Sequence, residues 1–172
     1  MSARDTEAPE LAAFDLARDG FVAGLAAVPD GALGYLERGG DYTLGGLVAH
    51  VNAVLERYLG LLDAMAGTGF RDMTAPDDAA RFAASNSQAA RVPSRAELDA
   101  DLAEMERLHG DVHARFDRLA PDDLRRTPAI RYGEGSEPYP TSPLDVLGWL
   151  TGHYEEHITH VTQLLDAWRS AS

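Results

Sequence analysis

The sequence predicts an all-α fold, a four-helix bundle with a long loop before the last helix. Apolar residues recur at the 3.6-residue period of a helix over four long stretches, and no run of alternating β-branched residues exceeds a few positions. Residues 126–141 hold several prolines and glycines and are predicted to form the long loop. Four long helices with one long connection describe a bundle. The length of 172 residues suits one domain, and we expect a single domain over residues 1–172.

Capping residues and chain breakers give the helix boundaries. Ser94 and Glu97 are spaced as a capping box, and Ser142 precedes Pro143 in the way that a cap precedes the first helical position. Either Asp41 or Thr43 can cap the second helix. The predicted long helices cover residues 10–25, from just after 41–43 to about 66, 94–119 and 142–169, with a shorter helical piece over 77–90.

Composition limits the function classes. The formal net charge of -13 argues against binding to nucleic acid or to an anionic membrane surface. No apolar run reaches the roughly 20 residues that span a bilayer, and residues 1–7 lack the pattern of a secretory signal, so we expect a cytoplasmic protein. The chain contains neither cysteine nor lysine. Any metal must therefore be held by nitrogen and oxygen, and Schiff-base chemistry is excluded.

Histidine spacing provides the strongest functional indication. His153 and His157 lie four residues apart in the last predicted helix, so both imidazoles project from one face about one turn apart. His50, on the edge of the apolar stripe of the second helix, is a candidate third ligand. Three protein ligands with an open position are typical of a catalytic metal site.

A second pair has the same spacing. His109 and His113 lie four apart on the third long helix, and spacing alone does not separate the two pairs. Each histidine can also be an ordinary packed residue with one hydrogen bond. His160 lies on the same stripe as His153 and His157 but one turn further along, so we interpret it as a residue that contacts a ligand or packs between helices rather than one that binds the metal.

Two segments resemble the DinB-like family. Residues 41–51, DYTLGGLVAHV, are similar to the helix start that leads into the family's first histidine, and residues 141–161, TSPLDVLGWLTGHYEEHITHV, look like its C-terminal His-x-x-x-His helix. The order and separation of these elements match over nearly the whole chain. The resemblance implies a four-helix bundle in which His50, His153 and His157 hold a divalent metal, commonly zinc or nickel. It also implies a homodimer.

The same resemblance suggests several activities. Relatives include metal-dependent thiol S-transferases that use bacillithiol, mycothiol or glutathione, and proteins described as hydrolases. We therefore expect a metal-dependent transferase or hydrolase that acts on a small-molecule substrate, with a low-molecular-weight thiol as a possible cofactor. Arg57, two turns beyond His50, is a candidate to hold an anionic substrate group, and Arg131 and Tyr132 are candidates to border the site. The alternatives are a non-catalytic metal- or small-molecule-binding module and a dimeric interaction protein.

Overall fold

The structure is a computed structural model that describes residues 9–171. It is mostly helical, as predicted. Within the described residues the elements are five α-helices and three very short strands: α1 Pro9–Ala26, α2 Leu47–Gly67, β1 Met73–Thr74, α3 Ala79–Ala89, α4 Arg95–Phe116, β2 Ala129–Arg131, β3 Tyr139–Pro140 and α5 Pro143–Ala171. Short 3-10 turns lie at Asp30–Ala32 and Asp123–Arg125. The predicted helices agree with these bounds except at the start of α2 and the end of α4.

The four long helices pack around one apolar core. α1 packs most closely on α5, α2 packs on both α4 and α5, and the short α3 lies on α2. The core draws on every long helix; its largest fully buried side chains include Phe14, Phe21, Leu47, Leu55, Met65, Leu98, Met105 and Tyr154. Burial of such side chains from water is the dominant force that holds the bundle together.

The predicted caps of α4 and α5 are present. Ser94 Oγ accepts a hydrogen bond from the Glu97 amide, and the Glu97 carboxylate accepts one from the Ser94 amide at 2.7 Å, which completes the capping box. Ser142 and Asp145 make the same reciprocal pair at the start of α5, and Pro143 is the first residue of the helix. Each cap satisfies amides that have no partner within the helix.

The second helix begins later than predicted, at Leu47. Thr43 Oγ1 accepts the Gly46 amide at 3.0 Å and donates to the Arg91 carbonyl at 2.6 Å, so Thr43 orders a turn ahead of the helix and ties it to the chain after α3. A Cβ at Gly46 would collide with the Ala89 carbonyl. The absence of a side chain at Gly46 is therefore required for this close approach of the Ala89 carbonyl.

The predicted long loop contains strands that the sequence did not indicate. β2 pairs in parallel with β1 and antiparallel with β3, with Ile130 opposite both Met73 and Tyr139. The strands are two or three residues long, and an alternating pattern cannot be recognised in so few residues. The fully buried Ile130 fixes this small sheet against the core.

None of the helices within residues 9–171 combines the length and the apolar character needed to cross a membrane. The prediction that the N-terminus is not a secretory signal concerns residues 1–7, which lie outside the described residues.

Candidate metal centre

Three imidazoles from two helices converge near the middle of α5. His50 comes from α2, and His153 and His157 come from α5; one nitrogen of each lies within 4.8 Å of the others. The Nε2 atoms of His153 and His157 are 3.2 Å apart. Two ligands about 2.0–2.1 Å from a tetrahedral ion are separated by roughly 3.3 Å, so this spacing fits coordination of one ion. These residues could therefore hold a metal ion.

Burial keeps the imidazoles of His153 and His157 neutral. His157 is buried and His153 is half-buried. Burial, followed by the proximity of His50 and His160, lowers the pKa of His153 to about 4. Burial and the neighbouring histidines lower the pKa of His157 to about 2. Both residues thus offer a free lone pair at neutral pH, the state that a metal requires of its histidine ligands.

Asn86 on α3 orients the imidazole of His50. Its side-chain Oδ1 lies 3.2 Å from His50 Nδ1, so Nδ1–H can donate to the amide oxygen and Nε2 remains free for a metal. Metal-binding histidines usually make such a second hydrogen bond. The sequence analysis did not identify Asn86, because a single half-buried asparagine on a short polar helix gives no pattern to detect.

His160 and Tyr42 contact the clustered histidines. His160 Nδ1 lies 3.0 Å from His157 Nδ1 and 2.9 Å from the Tyr42 hydroxyl. If His157 binds a metal through Nε2, its Nδ1 carries a proton and donates to His160. The Tyr42 ring also stacks near His50, with 5.4 Å between ring centroids. His160 and Tyr42 are therefore placed to orient the imidazoles of His157 and His50.

An open cleft borders the histidines. A concavity of about 250 Å³ is lined by His50, His153 and Arg57 together with the apolar and aromatic side chains of Val54, Tyr58, Phe82 and Trp149. It shares Arg57, Tyr58 and Phe82 with a larger pocket of about 530 Å³. The larger pocket extends over the segment between β1 and α3 and the start of the β2–β3 hairpin. The histidines therefore face a space of small-molecule size.

Arg57 lines both concavities. Its guanidinium lies 5.3 Å from the centroid of the Phe82 ring, and its Nε is 3.5 Å from Asp78 Oδ2. The Arg57 side chain is 41% exposed, so Asp78 balances its charge without covering it. Arg57 is thus brought to the cleft beside His50 and His153.

The two loop candidates have different positions. Tyr132 lines the larger pocket, its hydroxyl lies 2.7 Å from Thr141 Oγ1, and its ring meets that of Trp149 edge to face. Arg131 instead donates to the Ser136 carbonyl within the β2–β3 hairpin and does not line either concavity. The structure brings Tyr132, but not Arg131, towards the cleft.

The second histidine pair, His109 and His113, lies apart from the His50–His153–His157 group. His109 and His113 on α4 meet Asp15 on α1, and these three residues form a separate group whose ligand atoms lie within 4.8 Å of one another. Asp15 was not identified from the sequence, because 94 residues separate it from His109. Among the described residues, two groups of this kind are therefore found rather than one.

The fold is thus a helical bundle in which histidines of two helices meet beside a cleft, an arrangement that could hold a metal ion. A sequence profile described as the DinB superfamily matches residues 13–161, which include all the histidines of the chain. Because the match covers most of the chain, the protein belongs to the DinB superfamily. A search of the curated proteins and a search of the solved structures each returned no match.

Proposed function

We propose that this protein is a metal-dependent enzyme that transfers a low-molecular-weight thiol to a small electrophilic molecule. His50, His153 and His157 would hold the divalent ion, with zinc or nickel as the expected metals. The observation that carries the proposal is the convergence of three imidazoles beside an open cleft. A divalent ion in such a site lowers the pKa of a thiol or water molecule and supplies a nucleophile at neutral pH.

The shape of the cleft supports a reaction between two small molecules. The smaller concavity borders His50 and His153, and the larger one adjoins it across Arg57 and Phe82. Because the chain contains no cysteine, the thiol must come from a cofactor. Two connected spaces of about 250 and 530 Å³ suit a thiol beside the histidines and an electrophile further out, or the reverse.

The residues around the cleft suggest how the reactants are held. Trp149, Phe82 and Tyr58 offer aromatic surface against which an apolar group can pack. The partly exposed guanidinium of Arg57 is available to bind a carboxylate of either reactant, at the expense of its long contact with Asp78. Tyr132, held through Thr141, borders the outer pocket. Asn86 and His160 orient the imidazoles.

The proposal is tested with purified protein that carries no affinity-tag histidines. The metal-free chain is loaded with Zn²⁺ or Ni²⁺ and incubated with bacillithiol, mycothiol or glutathione and a general electrophile, and product is compared with that from ester and amide substrates. We expect thiol-dependent product that is lost on chelation and in His153→Ala. His113→Ala, which removes a histidine of the same spacing on α4, is the matched control and should retain activity.

The other outcomes distinguish the competing functions. Ester or amide cleavage without thiol would replace transfer with hydrolysis. Stoichiometric metal that depends on His153, with no turnover of any substrate, would favour a non-catalytic binding module. Failure to load metal at this site would contradict the proposal and favour a dimeric interaction protein.

A further inference from the structure

The group on α1 and α4 has the geometry of a site in its own right. Asp15 Oδ1 lies 2.7 Å from Nε2 of His109 and 2.7 Å from Nε2 of His113. The two imidazole planes approach from successive turns of α4, and the carboxylate faces them from α1. The three candidate ligand atoms lie within 4.8 Å of one another. The two contacts of Asp15 have hydrogen-bond length and would have to lengthen by roughly half an ångström to enclose a single ion.

The donor set of the group suits a cation. The carboxylate of Asp15 and the imidazoles of His109 and His113 each offer one ligand atom. Two histidines and one carboxylate form a donor set that favours divalent first-row transition ions over Ca²⁺ or Mg²⁺.

Residues behind the group hold His109 in position. The Phe14 ring stacks on the imidazole with 4.0 Å between centroids, and the Tyr154 hydroxyl lies 3.4 Å from Nδ1. Tyr154 can donate to Nδ1 or accept from it, so it can stabilise the tautomer in which Nε2 is free for a metal. His109 is 3% exposed, whereas the side chains of Asp15 and His113 are 31% and 28% exposed. The exposed side leaves room for water to complete the coordination.

The local charge also favours a dication. Arg18, one turn after Asp15 on α1, pairs with Glu106 at 2.5 Å and lies 2.8 Å from Asp19. Arg18 thus lies near three carboxylates, those of Asp15, Asp19 and Glu106, and the net charge of these four groups is negative. A cation bound by Asp15 would reduce the repulsion among these carboxylates rather than add to a positive patch.

We propose that Asp15, His109 and His113 form a second metal centre that binds a divalent first-row transition ion and ties α1 to α4. The centre is distinct from the His50–His153–His157 group, because the two groups share no residue. Its role is to cross-link two helices through side chains, and it therefore contributes stability rather than catalysis.

The test is a metal titration of the full-length, tag-free and chelator-stripped chain with Co²⁺, followed by equilibrium dialysis and by the visible absorption of bound cobalt. Wild type is expected to bind two equivalents. His153→Ala should bind only the equivalent at Asp15, His109 and His113. His113→Ala and Asp15→Asn should each bind only the equivalent at His50, His153 and His157. Glu10→Gln, which neutralises a carboxylate in the first turn of the same helix, is the control and should keep both. His113 and Asp15 are chosen because they are partly exposed, so their replacement leaves the core intact.

Helicity by circular dichroism verifies that each variant is folded. Tyr154→Phe should weaken only the equivalent that His113→Ala removes, by roughly tenfold to a hundredfold. One equivalent in wild type that is lost in His153→Ala and unaffected by His113→Ala and Asp15→Asn would overturn the second centre. One equivalent with the opposite dependence would support it and would contradict the proposed catalytic site instead.

Discussion

His153 has its pKa lowered by burial, and this shift has a consequence for the metal-free protein. In the unfolded chain the imidazole titrates near 6.5, whereas in the folded chain its pKa is about 4. Between these values the unfolded state binds more protons, so the free energy of unfolding falls as the pH decreases from 6.5 towards 4. Above pH 6.5 the imidazole is neutral in both the folded and the unfolded state, so His153 no longer makes the free energy of unfolding depend on pH.

This pH dependence is measurable by urea unfolding in the presence of a chelator at several pH values. We expect wild type to lose stability between pH 6.5 and 4 and His153→Gln, which does not titrate, to lose less. The glutamine variant is the informative one because it keeps a polar side chain of similar reach. Parallel profiles for the two proteins would show that His153 is not buried in the neutral form.

Asn86 gives a second prediction at the residue scale. Asn86→Ala removes the acceptor of His50 Nδ1 and is expected to weaken metal binding at the proposed His50–His153–His157 site by about tenfold to a hundredfold. Ser87→Ala on the same helix is the control, because Ser87 is exposed and bonds only to the carbonyl of Ala83 in its own helix. Metal affinity from competition with a chromogenic chelator measures the effect. Equal affinities in the two variants would exclude a role for Asn86.

The sequence indicated the three clustered histidines better than the residues around them. His153 and His157 share a helix, so their spacing alone brings them together, and His50 was a candidate from its position on the second helix and from the family resemblance. Asn86 and Asp15 could not be found in this way. Each depends on how two helices pack, and neither has a neighbour in the sequence that marks it.

At the scale of elements, the junction between α2 and α3 depends on Gly46. A Cβ there would meet the Ala89 carbonyl, whereas a Cβ at Gly60, within the same helix, would meet nothing within 4 Å. Gly46→Ala should therefore destabilise the protein by about 1–3 kcal/mol through overpacking. Gly60→Ala should stabilise it by roughly 0.5–1 kcal/mol, because alanine is the better helix former.

Thermal and denaturant unfolding of both glycine variants tests this contrast. Because α3 carries Asn86, we also expect Gly46→Ala to lower metal affinity, whereas Gly60→Ala should not. A neutral effect of Gly46→Ala on both stability and metal binding would mean that the close approach to Ala89 has no structural importance.

The start of a helix can be predicted from the sequence when the interactions that fix it lie within a few residues of one another. The capping pairs Ser94–Glu97 and Ser142–Asp145 lie within four residues, and the starts of α4 and α5 were predicted correctly. The start of α2 depends on contacts with Ala89 and Arg91, and was predicted too early. The β1–β2 pairing joins residues almost sixty positions apart, so the predicted loop was wrong in this part.

At the scale of the whole molecule, we expect the chain to fold without metal. The core contains large apolar side chains from all four long helices, so removal of metal should leave the helical circular dichroism unchanged. The Tm should rise with added Zn²⁺ in proportion to the logarithm of its free concentration. Complete loss of helicity on chelation would instead indicate a fold that needs metal, as in zinc fingers.

The homodimer implied by the family resemblance stays a prediction. The exposed large hydrophobic side chains, Leu16, Leu36, Val92 and Tyr139, are few, and they come from separate segments of the chain. Light scattering coupled to size-exclusion chromatography at several protein concentrations measures the mass directly. We expect twice the mass of the 18.5 kDa chain, and a constant monomer mass would contradict the prediction.

Helix α5 has consecutive residues that face different neighbourhoods: the His153 imidazole belongs to one group of nitrogen donors, and the Tyr154 hydroxyl supports the other. Both side chains leave the same turn of one helix. A rotation of α5 about its axis would therefore displace both of them, whereas a change of rotamer in one side chain leaves the other where it is. An influence of one group on the other is thus expected only from a molecule that turns the helix as a whole.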